Sequence, residues 1–326
     1  MQNLTSLSQT SAGNVKCAKN LTVNGALIGG GPSDVGNVYY VILSSKAFYS
    51  DFYNSRQGNY SDGSAIVYPD AGTGDGILAA IAACKGGRND YVIVGTGTYT
   101  MTAAIDLVGK SSLHLIAANG GGMPVGSPGA VIIHQNGNYS AVKMNAFCEL
   151  AGFQIENMTG YNAIEVPTNL AWVNIHHNLI KWQTSAGVDA IFGASNGGSY
   201  GSVHHNKIVQ WSGTGGRAGI YFGNAATVCM TISDNEIIAY GGSTFDYGIL
   251  YTGAGGMVRD NYISESGGSA AGGGTVTVGI EVGVNTAAIS NRVAVAAGQG
   301  LAGGTANRTF VDNKDALNGG AVEIVT

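Results

Sequence analysis

Apolar and polar positions recur along the chain in short segments centred on an asparagine. An apolar residue stands three positions before the asparagine, and a second one stands two positions after it. Four such segments are Ile175-x-x-Asn178-x-Ile180, Val203-x-x-Asn206-x-Ile208, Ile232-x-x-Asn235-x-Ile237 and Val258-x-x-Asn261-x-Ile263. Short apolar stretches separated by a polar turn residue are typical of strands. Each segment therefore predicts two short strands joined by a sharp turn at the asparagine.

Two columns of residues keep step over most of the chain. The asparagine column, with intervals of 21 to 30 residues, comprises Asn136, Asn157, Asn178, Asn206, Asn235, Asn261, Asn291 and Asn313. The second column, whose members each follow an alanine or a glycine, comprises Ile164, Ile191, Ile220, Ile249, Ile280, Leu301 and Val322. A repeat of this length cannot bury its apolar face alone, so neighbouring repeats must stack. We therefore predict a parallel β-helix whose coils lie about 4.8 Å apart.

The asparagines are expected to occupy the turns of this β-helix. Asparagine tolerates the left-handed backbone region, and its amide can bond to the equivalent amide on the next coil. Asn157 departs from the pattern, because Ile155 stands two positions before it rather than three. The register of that coil is therefore left open.

A single helix is predicted ahead of the coils, over residues 75–85. Asp75 suits its N-cap, Ile77 and Ile81 share an apolar face, and Gly86 offers a stop. The strand Tyr91–Val94 and a Gly-x-Tyr-Thr turn follow. A helix over the open end of the stack would protect an exposed sheet edge. This arrangement resembles the pectin-lyase-like superfamily over roughly residues 70–326, and it implies an all-β fold, a right-handed parallel β-helix with a short N-terminal capping helix.

The first 70 residues differ from the coils, because they lack the asparagine column and are rich in aromatic residues. Short alternating segments predict a small β-rich region that anchors or assembles the protein, followed by the β-helix over 71–326. The aromatic residues expected to form an assembly interface are Tyr39, Tyr40, Tyr49, Phe52 and Tyr53. The alternative is that these side chains form the compact core of the N-terminal region itself.

The amino-acid composition of the chain limits both its fold class and the partners that we expect for it. The 53 glycines suit turns, and a charged fraction of only 11% argues against a helical protein. The net charge of −5 without a basic cluster makes nucleic acid an unexpected partner. The sequence has no apolar run long enough to span a membrane, so no membrane association is expected.

The four widely spaced cysteines fit no metal motif and predict reduced, buried thiols.

Histidines and aspartates offer the clearest candidate chemistry. His176 and His204 each stand two positions before a column asparagine, and Asp234 and Asp260 each stand one position before. Imidazoles beside carboxylates could bind a ligand or transfer protons. The alternative is that equivalent turn positions simply carry similar polar residues. We predict an exposed ligand-binding ladder of these four residues and expect no metal or other cofactor, since one-coil spacing does not bring three or four ligands together.

Catalytic residues are not predicted. Residues 171–178 are similar to the Trp-x-Asp-His stretch of pectate lyases, but Ile175 stands where that family has aspartate. The polygalacturonase signatures are also missing. The sequence therefore favours a non-enzymatic role.

The function implied by the resemblance is that of a structural protein of a bacteriophage particle, such as a decoration, fibre or tailspike-like protein. The N-terminus shows no secretion signal, as expected of a protein made in the host cytoplasm and located in the virion. The resemblance also implies a homotrimer, with other virion proteins and host polysaccharide as partners. Two alternatives stay open: a polysaccharide lyase or glycoside hydrolase acting in a groove along the coils, and a bacterial surface adhesin.

Overall fold

The structure is a computed structural model that describes residues 36–46, 49–56, 58–60, 62–118, 130–157, 160–183, 187–265, 274–295, 300–302 and 309–314. It describes only the backbone of residues 7–9, 15–17, 21–23, 26–28, 299, 315 and 324–325. Within these residues the chain winds through three parallel sheets in turn. The parallel β-helix predicted from the sequence is therefore confirmed, and the right hand follows the general rule for parallel crossovers.

From Tyr91 onward each coil gives one strand to each of the three sheets, and the first sheet also contains the two earlier strands Val38–Leu43 and Val67–Asp70. The first sheet has eleven strands, ordered Val67–Asp70, Val38–Leu43, Tyr91–Val94, His114–Ala117, Glu149–Ala151, Asn174–His176, Ser202–His204, Thr231–Ser233, Met257–Arg259, Ala287–Ile289 and Thr309–Val311. The second sheet comprises Gly97–Met101, Val131–Gln135, Gln154–Asn157, Leu179–Gln183, Lys207–Ser212, Glu236–Ala239, Tyr262–Glu265, Arg292–Ala294 and Lys314–Asp315. The third sheet comprises Ile105–Asp106, Val142–Lys143, Ile164–Val166, Asp189–Gly193, Gly216–Phe222, Thr244–Tyr251, Thr275–Val282, Gln299–Ala302 and Ile324–Val325.

Two short antiparallel hairpins precede these sheets. One pairs Leu7–Gln9 with Val15–Cys17, and the other pairs Leu21–Val23 with Ala26–Ile28.

The recurring sequence motif distributes its apolar residues over two sheets. Ile175 is the inward residue of a first-sheet strand, Asn178 lies in the turn, and Ile180 points inward from the second sheet. All three side chains are buried. The second column supplies the third sheet, where Ile164, Ile191, Ile220, Ile249, Ile280 and Leu301 pair in register. The next partner is Ile324 rather than Val322, which lies outside the described residues.

A buried ladder of asparagine side chains joins consecutive coils. Its members are Asn178, Asn206, Asn235, Asn261, Asn291 and Asn313. Asn206 shows the pattern: its Oδ1 accepts from the backbone N–H and the Nδ2 of Asn178, both at 3.1 Å. Its own Nδ2 donates to the carbonyl of Ile175 at 2.9 Å and to Oδ1 of Asn235 at 3.0 Å. The predicted bond between asparagines of adjacent coils is present at every step of this series.

The left-handed residue of the turn is the one before the asparagine, which corrects the expectation that asparagine itself adopts this conformation. The residues in this position have φ between 51° and 57° and are His177, His205, Asp234, Asp260, Ser290 and Asp312. The asparagine then starts the next strand, with its amide inside the coil. The polar residue before it turns outward, so the same turn builds both a buried and an exposed column.

Asn136 and Asn157 do not belong to the ladder. Asn157 lies in the second sheet, paired with Gln135 and Trp182. The ladder position of that coil is Phe153, whose backbone N–H donates to Oδ1 of Asn178 at 3.0 Å. A phenylalanine cannot extend the amide chain, and this is why the register of that coil could not be read from asparagine spacing.

Helix α2, Asp75–Ala83, packs against the end strands of the first sheet, with Ile77 and Ile81 buried. The predicted cap is corrected. Gly74 occupies the N-cap position with φ 81° and provides no side-chain cap. The Asp70 carboxylate accepts the free backbone N–H groups instead, including that of Gly76 at 2.7 Å. The expected Gly-x-Tyr-Thr turn is in fact the strand Gly97–Met101.

Helix α1, Tyr49–Arg56, lies in the region for which only short β segments were predicted. Its residues show no clear apolar stripe, so the sequence carries no strong helical pattern. The strands on either side of α1, Val38–Leu43 and Val67–Asp70, both join the first sheet. The division at residue 70 stays a prediction, and strands from both sides of it lie in one sheet.

The described cysteines are free thiols in two environments. Cys84 and Cys148 are buried, and burial raises the pKa of Cys84 to about 12. Cys229 is exposed, because it occupies a turn rather than a strand, which corrects the expectation of burial for that residue. In the described part of the chain, no helix has the length and apolar character needed to cross a membrane.

Asn206→Ala should lower the free energy of unfolding by about 2–4 kcal/mol, because it leaves buried donors and acceptors on two coils without partners. Chemical denaturation monitored by circular dichroism measures this change. The matched control is Asn136→Ala, at an exposed asparagine outside the ladder, with an expected loss below about 0.5 kcal/mol. Equal losses for the two variants would contradict the role given to the ladder.

Candidate functional site

Four histidines of two consecutive coils lie together at one end of the first-sheet strands. The rings of His176 and His204 stack with centroids 4.8 Å apart, and those of His177 and His205 stack at 4.9 Å. His176 and His204 end their strands, whereas His177 and His205 occupy the left-handed turn. His176 and His204 therefore lie on adjacent coils, as their equal distance from the column asparagines indicated. We call the four histidines together with Glu149 and His114 the histidine face.

Glu149 lies between His114 and His176 and contacts both imidazole rings. Its Oε1 lies 2.6 Å from Nε2 of His176, and its Oε2 lies 2.5 Å from Nδ1 of His114. The hydrogen bonds from His114 and His176 hold the pKa of Glu149 down to about 2. His114 also contacts Oδ1 of Asn89 and stacks on the ring of Tyr91 at 4.2 Å. Glu149 is therefore a fixed anion that orders the imidazoles around it, and its low pKa does not suit a general acid at neutral pH.

Burial and the neighbouring imidazoles favour the neutral forms of His204 and His177. Desolvation, followed by the neighbouring His176 and His205, lowers the pKa of His204 to about 4. The same causes, burial first and then the neighbouring imidazoles, lower the pKa of His177. Protonated rings stacked this closely repel each other, which adds to the cost of charging His204 and His177.

Asp234 and Asp260 continue the turn column of His177 and His205 on the next two coils, with φ of 57° and 56°. Asp260 forms an ion pair with Arg259 at 2.7 Å. It also lines a groove of roughly 740 Å³ together with Asp312, Arg292, Lys314 and Tyr262. The predicted ladder thus runs over two neighbouring columns, because His176 and His204 are in register with Ser233 rather than with Asp234, whereas Asp234 and Asp260 follow His177 and His205. Its role in ligand binding stays a prediction.

A stack of exposed aromatic rings lies at the opposite ends of the same strands. Phe147, Trp172 and Tyr200 have exposed fractions of 55%, 54% and 48%. Their ring centroids are 6.4 Å and 5.3 Å apart, with interplanar angles of 8° and 18°. All three residues have φ near 60°, a conformation that is unusual for bulky side chains. We call these residues the aromatic ladder.

Sequence reasoning missed the aromatic ladder, although a signal was present. Each member stands six positions before the ladder position of its coil: Trp172 before Asn178, and Tyr200 before Asn206. Cys229 continues this offset, and it also has a positive φ of 56°. A search at fixed offsets from the asparagine column would therefore have aligned the aromatic residues.

A charged cluster on the third sheet was also missed. Arg217 forms an ion pair with the buried carboxylate of Asp189 and lies 3.5 Å from the ring centroid of Tyr221. Desolvation raises the pKa of Asp189 to about 6, against the opposing effect of Arg217. Asp189 also accepts the backbone N–H of Ala218. Because this carboxylate has no exposed surface, the cluster supports the coil rather than offering a reactive group.

The residues predicted for an assembly interface fall into two groups. Tyr39 is fully buried and contacts the ring of Tyr60, so it belongs to the core of this chain. Tyr40 packs against Phe52 at 5.4 Å, and Tyr49 stacks on Tyr53 at 5.6 Å. These four residues are half-buried. They leave part of each ring available on and beside α1, and their role in assembly stays a prediction.

The comparisons with known proteins add no relative. Neither a scan against protein-family models nor a search of curated proteins finds a match for the chain. Within the described residues, no group of three or more histidine, cysteine, aspartate or glutamate side chains could hold a metal ion. Functional inference therefore rests on the fold and on the chemistry of its exposed columns.

The contribution of His204 to the stability of the protein should be lost as the pH is lowered from about 6.5 to about 4, while the raised pKa of Asp189 acts in the opposite direction over nearly the same range. The loss is therefore the difference between the wild-type protein and His204→Gln. The folded-state pKa of His204, about 4, lies below the ordinary value of 6.5, so the unfolded chain takes up the proton first. Chemical denaturation at pH values of about 7.5, 5.5 and 4.5 measures this loss.

His204→Gln should remove part of that dependence and leave the loss at lower pH. Glu149 causes this second loss, because its pKa of about 2 lies below the ordinary 4.5 and its contribution disappears as the pH falls through this lower range. An unchanged dependence between pH 6.5 and 4.5 in His204→Gln would show that the histidine stack does not carry it.

Proposed function

We propose that the protein is a structural component of a bacteriophage particle, of the decoration, fibre or tailspike-like kind, and that its first-sheet wall binds host-surface glycans without cleaving them. The parallel β-helix and the resemblance of the sequence to phage β-helix proteins support the first part, as a fold-level analogy. The aromatic ladder supports the second part and is the observation that carries it.

The aromatic ladder has the properties of a binding surface. Three large side chains remain about half exposed and stacked, although their backbone conformation is strained by an amount on the order of 1–3 kcal/mol per residue. Strain of this kind, combined with exposed apolar area, is typical of functional sites. The flat, apolar C–H face of a pyranose ring packs well on such an aromatic ring, while its hydroxyl groups need polar partners nearby.

Polar partners lie directly beside the aromatic ladder. The outward residues of the three strands that follow it are Glu149, Asn174 and Ser202, in register across adjacent coils. Ser202 donates to Oδ1 of Asn174 at 2.7 Å. From Trp172 to His177 the wall extends about 16 Å at the usual rise per strand residue, which is long enough for about three sugar units.

Two titratable groups of this wall, Glu149 and His204, have pKa values that do not suit general acid–base catalysis at neutral pH. A general acid or base works best with a pKa near the working pH. The pKa of Glu149 is about 2 and that of His204 is about 4, so both lie well away from neutrality. Hydrogen bonds also occupy both oxygens of Glu149. The wall thus offers fixed polar contacts to a ligand, as recognition requires.

Trp172→Ala should weaken glycan binding about ten-fold, since it removes a stacking platform whose loss corresponds to about 1.4 kcal/mol. Binding of purified capsular polysaccharides and lipopolysaccharide O-chains, measured by biolayer interferometry, tests this. The matched control is Trp211→Ala. Trp211 is also 50% exposed and stacks on Tyr240 at 5.2 Å, but it lies at the end of a second-sheet strand. Equal effects of the two substitutions would remove the aromatic ladder as the site.

The same glycans test the non-catalytic part of the proposal. Incubation with the wild-type protein should release no new reducing ends and no unsaturated sugars. If cleavage occurs and Asp234→Asn or Asp260→Asn abolishes it, the protein is a lyase or hydrolase instead.

Detection of the chain by mass spectrometry in purified phage particles tests its place in the virion.

A homotrimer is the assembly we propose. Its contacts include the half-buried rings on and beside α1, which are those of Tyr40, Tyr49, Phe52 and Tyr53. Sedimentation velocity at micromolar concentration should show a trimer, and Tyr49→Ser combined with Tyr53→Ser should shift it towards monomer, because aromatic residues concentrate in buried interface centres. Tyr240→Ser, at another exposed stacked tyrosine, is the control. A monomeric wild-type protein would overturn the trimer. Deleting residues 1–69 is unsuitable as a test, since it removes two first-sheet strands.

A further inference from the structure

Within each of two consecutive coils, two neighbouring histidines direct the same ring nitrogen at each other. The Nδ1 atoms of His176 and His177 are 2.8 Å apart, and those of His204 and His205 are 3.0 Å apart. The ring planes meet at 84° and 86°. Successive side chains of an extended strand point to opposite faces. The left-handed turn at His177 and His205 is what brings the neighbouring imidazoles together on one side.

Hydrogen bonds at the far nitrogens determine which nitrogen of the first histidine carries its proton. Nε2 of His176 lies 2.6 Å from Oε1 of Glu149, and Nε2 of His204 lies 3.1 Å from Oδ1 of Asn174. Both partners are oxygen acceptors, so Nε2 carries the proton in both rings. The Nδ1 lone pair of each ring is therefore directed at the second histidine. A carboxylate or amide oxygen behind an imidazole is the usual arrangement around a metal-binding histidine.

We propose that the pairs His176–His177 and His204–His205 are two stacked two-nitrogen chelates for divalent transition-metal ions, with copper(II) and nickel(II) preferred over zinc(II). The distances carry the preference. Two nitrogens about 2.0 Å from one ion are about 2.8 Å apart at a right angle and about 3.3 Å apart at a tetrahedral angle. The observed separations match the right angle of square-planar or tetragonal coordination, which copper(II) and nickel(II) adopt.

Binding requires a change of tautomer in the second histidine and a rotation of both rings that brings the two lone pairs together on the ion. In the metal-free pair one Nδ1 donates its proton to the other, which explains the short separation. When an ion binds, the proton of the second ring moves to its own Nε2, and the ion lies about 1.4 Å to the side of the line between the two nitrogens, at the usual metal–nitrogen distance. Both rings stay neutral, and water completes the coordination.

Each proposed chelate uses only two protein ligands, so it does not require a group of three or more metal-binding side chains, and the described residues contain none. The expectation of no metal rested on the spacing between coils, and the ring stacks are indeed 4.8 Å and 4.9 Å apart. Each chelate lies within one coil, so this spacing does not oppose it. Two ions one coil apart repel each other. The first ion should therefore bind at His176–His177, where the Glu149 carboxylate lies behind the chelate.

Isothermal titration calorimetry of the tag-free full chain with copper(II) sulfate, after treatment with a chelator, tests the proposal. We expect two ions per chain, bound in two steps, and an electron paramagnetic resonance signal with two nitrogen ligands per ion. His177→Asn with His205→Asn should weaken binding at least ten-fold. Asparagine suits the left-handed turn, and Asp234 occupies the same position on the next coil. Glu149→Gln should weaken the first step only.

Two further variants complete the experiment. His134→Asn changes a histidine of the second sheet, outside both pairs, and should leave both steps unchanged. His176→Gln with His204→Gln removes the other ligand of each pair and should match the first double variant, which guards against a folding defect in either. The proposal is overturned if wild-type and double-variant proteins bind copper equally, or if one ion per chain shows four nitrogen ligands. The glycan proposal does not depend on either result.

Discussion

From Asn178 onward, each coil of this β-helix turns from the first sheet to the second with its backbone polar groups buried, and the asparagine ladder supplies the hydrogen bonds of that turn. The side-chain oxygen of each ladder asparagine accepts a hydrogen bond from the coil before it. Its side-chain N–H group donates to a strand carbonyl of that same coil. In Asn206 these partners are Asn178 and Ile175. A chain of aligned amides strengthens each of its bonds in a medium of low dielectric. The apolar columns provide most of the burial, but this ladder holds their register from coil to coil.

The same turn produces the exposed chemistry. Because the asparagine side chain enters the core, the residue before it must take the left-handed conformation and point outward. His177 and Asp234 are two occupants of that position. The backbone therefore provides a column of outward positions, and the side chains at those positions are free to vary. This explains why imidazoles, carboxylates and a serine follow one another along one edge without any change in the fold.

The sequence predicted the parts of the structure that repeat. Ile175 and Ile180 lie in the sheets that their spacing around Asn178 required, and the column from Ile164 to Leu301 pairs as expected. The prediction failed where the residue type at a position does not match the structural role of that position. Asn157 carries the right residue at the wrong position, whereas Phe153 holds the ladder position with a residue that breaks the pattern. Helix α1 was missed because its residues show no clear apolar stripe, and the aromatic ladder was missed because its signal is visible only as a fixed offset from the asparagine column.

The two candidate binding surfaces share a physical basis, since both lie at the ends of the same short strands. Trp172 precedes Asn174 by two residues, and His177 follows His176 directly, so no flexible loop separates either surface from the sheet. A ligand that binds to rigid groups loses less conformational entropy than one that must first order a loop. The backbone strain at Trp172 and His177 is compatible with stability only because the stacked coils on both sides hold these turns in place. Repetition thus provides the rigidity that recognition needs, and a few side chains at the turn positions determine what is recognised.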